Sequence, residues 1–317
     1  MGNENQLFAN GRLSVMSTKL FGADKFNRLA DCSCLAEAVR ILSEYGYGGG
    51  ASLSDPNDYE QLLVAESDKA MQDFKELCCN KKAVRYFLAR YDFVNAKTLM
   101  KAKYMRVDGT DRCFANATYF PAKMQEDFVA DEYGAYPKEM AKACDQIDGE
   151  FADGNRSPMV VDTVLDKAMF AYLRRNASGS LLKKLFDWEA DTTNLLALAR
   201  CKKAGFDENV FSQTIVKGGR ISEKSLLDLW NNRSDATDKF SDEYKRFVSL
   251  MKNDIVAAES LQSKVKRDIL SRNADVLSVQ PALDYFSAKV RETDIVRYIL
   301  ISVKNGVDKE TIKKFFA

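Results

Sequence analysis

The chain contains no histidine, the side chain that most often acts as a general base at neutral pH. Ser-His-Asp triads, Cys-His pairs and the HExxH zinc helix all need histidine, so these catalytic arrangements are excluded. Pairs of Asp and Glu carboxylates remain possible as acid and base groups.

Proline is also scarce, with only five in 317 residues. Because proline interrupts helices, long proline-free stretches with apolar residues every three or four positions favour α-helix. Comparable runs that alternate β-branched and polar residues, as strands would show, are missing. We therefore predict an all-α fold. The pattern places long helices over 81–105, 178–203 and 281–305, and a first helix over 11–20.

Long apolar runs and a charge excess are missing as well. No run approaches the roughly 18 apolar residues of a transmembrane helix, and the first residues lack the charged and apolar regions of a signal peptide. The 47 basic residues are balanced by 46 acidic ones, whereas nucleic-acid binders usually gather a basic excess. These absences predict a protein without a transmembrane helix that binds no nucleic acid.

Two local patterns resemble ligand sites, yet each lacks an essential part. The seven cysteines include Cys-Ser-Cys at 32–34 and Cys-Cys at 78–79, but no paired C-x-x-C motifs of zinc-site spacing. We interpret them as reduced, structural thiols. The glycine-rich run at 46–50 is not followed by the Gly-Lys-Ser/Thr of a phosphate-binding loop, so we interpret it as a helix stop. We predict no cofactor, no metal and no direct nucleotide binding.

What the sequence does contain is one pattern that occurs three times. Asp191 lies 99 residues after Asp92, and Glu292 lies 101 residues after Asp191, each within an apolar helical stretch. Asn95 and Asn194 follow the first two acids by three residues, so acid and amide share one face of a helix. Such internal repetition indicates that the chain is built from similar structural units.

A second alignment gives the same period. Residues 21–29 align with residues 221–229, which lie 200 positions later, and a weaker counterpart covers 120–129. A period near one hundred residues is too long for the common solenoid repeats, so each unit is a small helical domain. We therefore predict three similar domains, at 1–109, 110–209 and 210–317.

We interpret the repeated acids as structural. An active site needs its acids to converge, whereas equivalent positions in three adjacent domains would be far apart. Carboxylate and amide groups on one helix face can instead bond to a neighbouring helix end and fix the packing of each domain. We therefore predict no catalytic residues, with an all-α enzyme acting through carboxylates as an alternative.

The same residues resemble a known family, the C subunits of bacterial and archaeal V/A-type rotary ATPases, which are similar to the eukaryotic V-ATPase d subunit. The family's pattern of an acid, an asparagine and a base is complete as Asp92, Asn95 and Lys97. In the second copy, which begins at Asp191, Leu196 stands in place of the base.

In the third copy Glu292 and Arg297 match the family pattern, while Ile295 replaces the asparagine. The opening stretch 9–29, the Gly-Gly-Arg-Ile-Ser stretch at 218–222 and the ending Asn-Gly-Val-Asp at 305–308 also resemble the family. The resemblance therefore covers essentially the whole chain.

The resemblance implies a funnel of three helical domains around a pseudo-threefold axis. It implies a non-catalytic central-stalk subunit that links the D–F rotor shaft to the membrane rotor ring of c/K subunits. Such a subunit transmits torque between ATP hydrolysis or synthesis and proton or sodium transport. It would be peripheral, on the cytoplasmic side of the membrane. The alternative is a helical-repeat adapter that binds another protein and has no connection with rotary ATPases.

Overall fold

The structure, a computed structural model, describes residues 2–50, 53–154, 157–233, 235–272, 275 and 277–316. Every regular element in these ranges is helical, and none is a strand. The prediction of an all-α fold is therefore confirmed. None of the helices in the same ranges is both long enough and apolar enough to cross a membrane.

The chain divides into two compact units. The first contains Met1–Asn80 together with Asn273–Ala317, and the second contains Lys81–Arg272. The division into domains at 1–109, 110–209 and 210–317, and their funnel arrangement, stay predictions.

Fifteen α-helices lie in the described ranges. The first nine are α1 (Gly2–Ser17), α2 (Ala23–Ala30), α3 (Leu35–Glu44), α4 (Glu60–Leu77), α5 (Lys81–Met105), α6 (Pro121–Val129), α7 (Lys138–Ala152), α8 (Pro158–Asn176) and α9 (Gly179–Lys203). The remaining six are α10 (Glu208–Thr214), α11 (Glu223–Trp230), α12 (Asp242–Asn253), α13 (Ile255–Ser271), α14 (Gln280–Lys304) and α15 (Lys309–Lys314).

The first unit is packed around α14, which contacts α1, α2, α3 and α4. Val296 and Ile299 of α14 are fully buried in an apolar cluster with residues of α2, α3 and α4. The rings of Phe74 on α4 and Phe286 on α14 stack with centroids 4.4 Å apart. Burying side chains of this size contributes about 1.5–3 kcal/mol each, so α14 is the principal support of this unit.

The second unit contains two long helices, each with its own set of neighbours. Helix α5 packs against α6, α7 and α8, and α9 packs against α10, α11, α12 and α13. Helices α8 and α9 are also in contact. Both long helices and α14 match the predicted stretches 81–105, 178–203 and 281–305 to within one residue at either end. Those predictions are confirmed.

The predicted first helix, over 11–20, is wrong at both ends. Helix α1 runs from Gly2 to Ser17 and includes Gly11 in its interior. Glycine costs about 1 kcal/mol relative to alanine inside a helix, which made it a plausible start. Here Ala9 and Leu13 are buried on either side of it, and packing carries the helix through.

Candidate functional site

The fully buried member of the repeated acids is Asp191, in the middle of α9, which is 0 % exposed. Its Oδ1 accepts a hydrogen bond from the backbone N–H of Ile221 at 3.0 Å. Its Oδ2 accepts from the N–H of Arg220 at 3.0 Å and from the hydroxyl of Tyr244 at 2.8 Å. Burial raises the pKa of Asp191 above its ordinary value, although these donors pull it down. Asp191 thus holds the segment that enters α11.

Asn194, one turn further along α9, holds the start of the same segment. Its Nδ2 donates to the carbonyl oxygen of Val216 at 2.9 Å, and its Oδ1 accepts from the N–H of Val216 at 2.9 Å. Both polar groups of one buried backbone residue are therefore satisfied by one side chain. Together the two side chains fix residues 216–221 at either end.

The first copy, on α5, makes the same contacts. Asn95 donates from Nδ2 to the carbonyl oxygen of Phe114 at 2.9 Å and accepts at Oδ1 from the N–H of Phe114 at 2.8 Å. Asp92 accepts at Oδ1 from the N–H of Thr118 at 2.7 Å. The segment 114–118 leads into α6. Asn95 and Asp92 hold its two ends, just as Asn194 and Asp191 hold the two ends of residues 216–221. Lys97 lies 2.6 Å from Asp166 on α8 and so ties α5 to that helix.

In the third copy the acid holds a segment from the other end of the chain. Glu292 accepts at Oε2 from the N–H of Phe21 at 2.7 Å, directly before α2. Ile295, which stands in place of asparagine, is buried in the apolar cluster around α14 and has no side-chain amide to bond a backbone residue. Arg297 pairs with Glu60 of α4 at 3.2 Å.

A lysine and a second carboxylate extend this third contact. Lys289 lies 2.6 Å from Glu292 and 2.7 Å from Glu66 of α4. Burial opposes the charge of Lys289, but the two carboxylates outweigh it and raise the pKa of the lysine. Glu66 also accepts from the N–H of Gly48 at 2.8 Å. The glycine run at 46–50 is therefore a turn whose backbone is held by a carboxylate.

The three contacts share one geometry. In each copy the acid on a long helix accepts from a backbone N–H that lies within three residues of a short helix, α6, α11 or α2. These short helices overlap the stretches matched by the second alignment, at 120–129, 221–229 and 21–29. We refer to the acid and the N–H it holds as a clip. That the clips set the packing of each repeat stays a prediction.

A fourth carboxylate, Glu189 of α9, does not belong to the pattern predicted from the sequence. It lies 2.5 Å from Arg90 of α5 and 3.1 Å from Lys266 of α13, and accepts from the hydroxyl of Tyr86 at 2.6 Å. Burial opposes its charge, but the charges of Arg90 and Lys266 lower its pKa to about 2. Glu189 lies 99 residues after Arg90, the spacing of the first two repeats. This spacing was the sequence signal that could have pointed to the contact, because it places the positive Arg90 and the negative Glu189 at equivalent positions of the first two repeats.

The cysteines form no disulfide, and four of the seven are buried. All seven cysteines are free, and burial raises the pKa of Cys144 to about 12 and that of Cys32 to about 11. Since the thiolate is the reactive form, burial disfavours reaction of these two thiols at neutral pH. Across the described residues no three Cys, Asp or Glu side chains are grouped as metal ligands.

The Asp191 clip depends on a glycine, which gives a direct test of its geometry. A Cβ on Gly219 would overlap Oδ1 of Asp191 and lie 2.8 Å from its Cγ. We expect Gly219→Ala to destabilise the second unit by about 1–3 kcal/mol, because a well-packed interior must shift to admit it. Chemical unfolding followed by fluorescence of the two tryptophans, both in this unit, measures the change. The matched control is Gly149→Ala in α7. A Cβ added there would meet no atom within 4 Å beyond its own stretch of helix, so a small gain in stability is expected. Equal effects of the two substitutions would contradict the described geometry.

Comparison with known proteins gives one consistent result. The family model described as "ATP synthase (C/AC39) subunit" matches residues 9–315. A Desulfurococcus sp. protein, named as the C subunit of an A-type ATP synthase, is 24% identical over 97% of this chain and 89% of its own length. A Methanosarcina mazei protein of the same name is 24% identical over 98% of this chain and 92% of its own. The C subunit of the V-type sodium ATPase of Enterococcus hirae is 22% identical over 93% of each chain.

Proposed function

The chain belongs to the ATP synthase (C/AC39) subunit family, and we propose that it is the central-stalk rotor socket of a V/A-type ATPase. In this role it links the D–F shaft to the membrane rotor ring and transmits torque between ATP turnover and proton or sodium movement. It acts as a peripheral component on the cytoplasmic side of the membrane. The observation that carries the proposal is the family match, which spans residues 9–315 and so includes all three repeated acids.

The clips support a mechanical role. A part that transmits torque must resist deformation, and close packing with satisfied polar groups makes a helical protein stiff. In each repeat a charged side chain fixes the irregular segment before a short helix, which is where a helical bundle would otherwise yield first. The buried contact of Glu189 with Arg90 and Lys266 joins three helices of the second unit in the same way.

The same contacts argue against catalysis by the repeated acids. Asp191 already accepts three hydrogen bonds, and Glu292 is held by the N–H of Phe21 and by Lys289. A general base must reach the proton that it removes, and these carboxylate oxygens are committed to groups of their own chain. We therefore propose that this protein contributes no catalytic residue to the complex.

Binding to purified partners tests the proposal. We expect the full chain to retain the D–F pair in a pull-down and, separately, the detergent-solubilised rotor ring. A shaft pair and a ring from an F-type ATP synthase are the matched controls, and neither should be retained. A folded chain that binds neither V/A-type partner would overturn the socket proposal and favour the adapter unrelated to rotary ATPases.

A further inference from the structure

Helices α6 and α11 both end in a conformation that usually takes glycine. Asp131, after α6, has a φ of 60°, and Asn232, after α11, has a φ of 53°. At both sites the next residue donates a backbone hydrogen bond to the carbonyl oxygen five residues before it, at 2.8 and 3.0 Å. This is the usual left-handed stop of a helix, in which residues with a side chain are strained.

The long helices make the same stop with a different choice of residue. Gly205 follows α9 and Gly306 follows α14, with φ of 73° and 67°. Arg106 holds the equivalent position after α5, 99 residues before Gly205, with a φ of 54°. Arg106 is exposed, and its side chain makes no ion pair or hydrogen bond with the described residues. Glycine is therefore compatible with this stop, and its absence after α6 and α11 needs a separate reason.

The side chains of Asp131 and Asn232 supply that reason. Oδ1 of Asp131 accepts a hydrogen bond from Nζ of Lys103 on α5 at 2.5 Å. Oδ1 of Asn232 accepts from Nζ of Lys202 on α9 at 3.0 Å. Lys202 lies 99 residues after Lys103, and Asn232 lies 101 residues after Asp131. The two contacts thus lie at equivalent positions of the first two copies, and glycine could make neither.

The third copy makes a similar contact with a different lysine. Asp31 lies 100 residues before Asp131 and directly follows α2. Its Oδ1 lies 2.8 Å from Nζ of Lys313 on α15. Val303 stands 101 residues after Lys202, so a lysine at the equivalent position is missing. The backbone of Asp31 is right-handed, so the three copies share the contact with a lysine and not the form of the turn.

The first two lysines are held in place by further contacts. Lys103, whose side chain is 15% exposed, also lies 2.7 Å from Asp148 of α7 and donates to the hydroxyl of Tyr133 at 2.8 Å. Nζ of Lys202 lies 5.5 Å from the centroid of the Trp230 ring, at the end of α11. An ordinary surface pair is weak partly because it must order two mobile side chains. That cost is smaller where the ammonium is already positioned.

We propose that Asp31, Asp131 and Asn232 are latches, side chains that tie the last turn of a short helix to a lysine on another helix of the same unit. The clip holds the start of the same short helix, so α2, α6 and α11 are each held at both ends. Each short helix then moves together with the helix that supports it. The latches need no partner, so they stand whether or not the chain binds a rotor shaft.

Substitution by glycine in two backgrounds tests the latch at Asp131. In the natural chain Asp131→Gly relieves the strained backbone but also removes the acceptor of Lys103, so the melting temperature should not rise. In a Lys103→Met background the donor is already lost, and the same substitution should raise the melting temperature by about 2–4 °C. Differential scanning calorimetry measures both changes.

A second pair and a control make the comparison independent of one variant. Asn232→Gly, with and without Lys202→Met, should give the same contrast, and it serves if Lys103→Met fails to fold. The matched control is Arg106→Gly, because Arg106 has the same backbone conformation and no latch contact. It should raise the melting temperature by about 2–4 °C whether or not either lysine is replaced.

Hydrogen exchange shows where each latch acts. We expect Lys103→Met to speed exchange in the last turn of α6 at least tenfold and to leave that of α11 unchanged, with the reverse for Lys202→Met. Glycine substitutions that raise the melting temperature equally in both backgrounds at the two sites would overturn the proposal. Unchanged exchange in the last turns of α6 and α11 would overturn it as well.

Discussion

Glu189→Gln is expected to destabilise the second unit by about 3 kcal/mol at neutral pH, the value that corresponds to the lowered pKa of this carboxyl. Glutamine keeps the shape of the side chain but removes the charge between Arg90 and Lys266, which lie 2.5 and 3.1 Å away. Glu189 is buried, whereas the side chains of Arg90 and Lys266 are 29% and 30% exposed. Removing the carboxylate leaves two partly buried cations without their partner, which costs more than the loss of a surface pair. Trp188 is buried and adjacent in sequence, so its fluorescence follows the unfolding of this region.

The stability that the natural chain gains from Glu189 depends on pH. The carboxyl of Glu189 has a folded pKa of about 2 against an ordinary 4.5, so its stabilisation is present above pH 4.5. It is lost as the pH falls towards 2, and a shift of this size corresponds to about 3 kcal/mol. The difference in unfolding free energy between the natural chain and Glu189→Gln should therefore shrink across this window.

Glu259→Gln is the matched control for this prediction. Glu259 lies on α13 and pairs with Arg200 of α9 at 2.5 Å, so it joins the same two helices as Glu189 and Lys266. Both partners are exposed, and an exposed pair contributes at most about 1 kcal/mol. A loss as large as that of Glu189→Gln would mean that burial is not what makes the Glu189 contact important.

Asp191→Ala and Asn194→Leu are expected to lower the stability of the second unit by about 2–4 kcal/mol each. The first leaves the buried N–H of Ile221 without its acceptor, and the second leaves both polar groups of Val216 unpaired. Each unsatisfied buried group costs about 1–3 kcal/mol. Differential scanning calorimetry and urea unfolding measure the loss.

Asp187→Ala is the control for these two substitutions. Asp187 lies one turn before Asp191, so this variant shows how much stability is lost when any acid is removed from α9. Asp187 pairs with the exposed Arg220 side chain at 2.9 Å, so its loss should cost less than about 1 kcal/mol. Full stability of both Asp191→Ala and Asn194→Leu would defeat the structural interpretation of the repeat. Retained fold with loss of a measured activity in Asp191→Asn would favour the carboxylate enzyme instead.

The limits of the helices with an unbroken apolar spacing could be predicted from the sequence. Helix α5, predicted over 81–105, has those limits. Helix α9 begins one residue later than predicted, and α14 begins and ends one residue earlier than predicted. The repeated acids could be located because their spacing is independent of the fold. Their partners could not, since a backbone N–H carries no sequence signal and any residue except proline can supply it.

The remaining differences follow from contacts between distant residues. Helix α1 extends through Gly11 because packing and the Gln6–Asn10 pair outweigh a local penalty of about 1 kcal/mol. The 99-residue spacing from Arg90 is the one sign of Glu189 in the sequence, but the contact that it makes with Lys266 on a third helix is visible only in the structure. The alignment within the sequence is enough to locate the stretch 21–29. The hydrogen bond from the N–H of Phe21 in this stretch to Glu292 is visible only in the structure.

The contact between Phe21 and Glu292 also bears on synthesis of the chain, because 271 positions separate the two residues. A ribosome adds about 5–20 residues per second, so the first segment waits on the order of tens of seconds for its partner. The whole of 81–272 emerges during that interval and contains its own long helices and clips. The middle of the chain can therefore fold first, while apolar residues of α2 and α3 stay exposed until α14 is made. During translation the apolar residues of α2 and α3 are thus without their α14 neighbours for most of the time that the chain takes to be made.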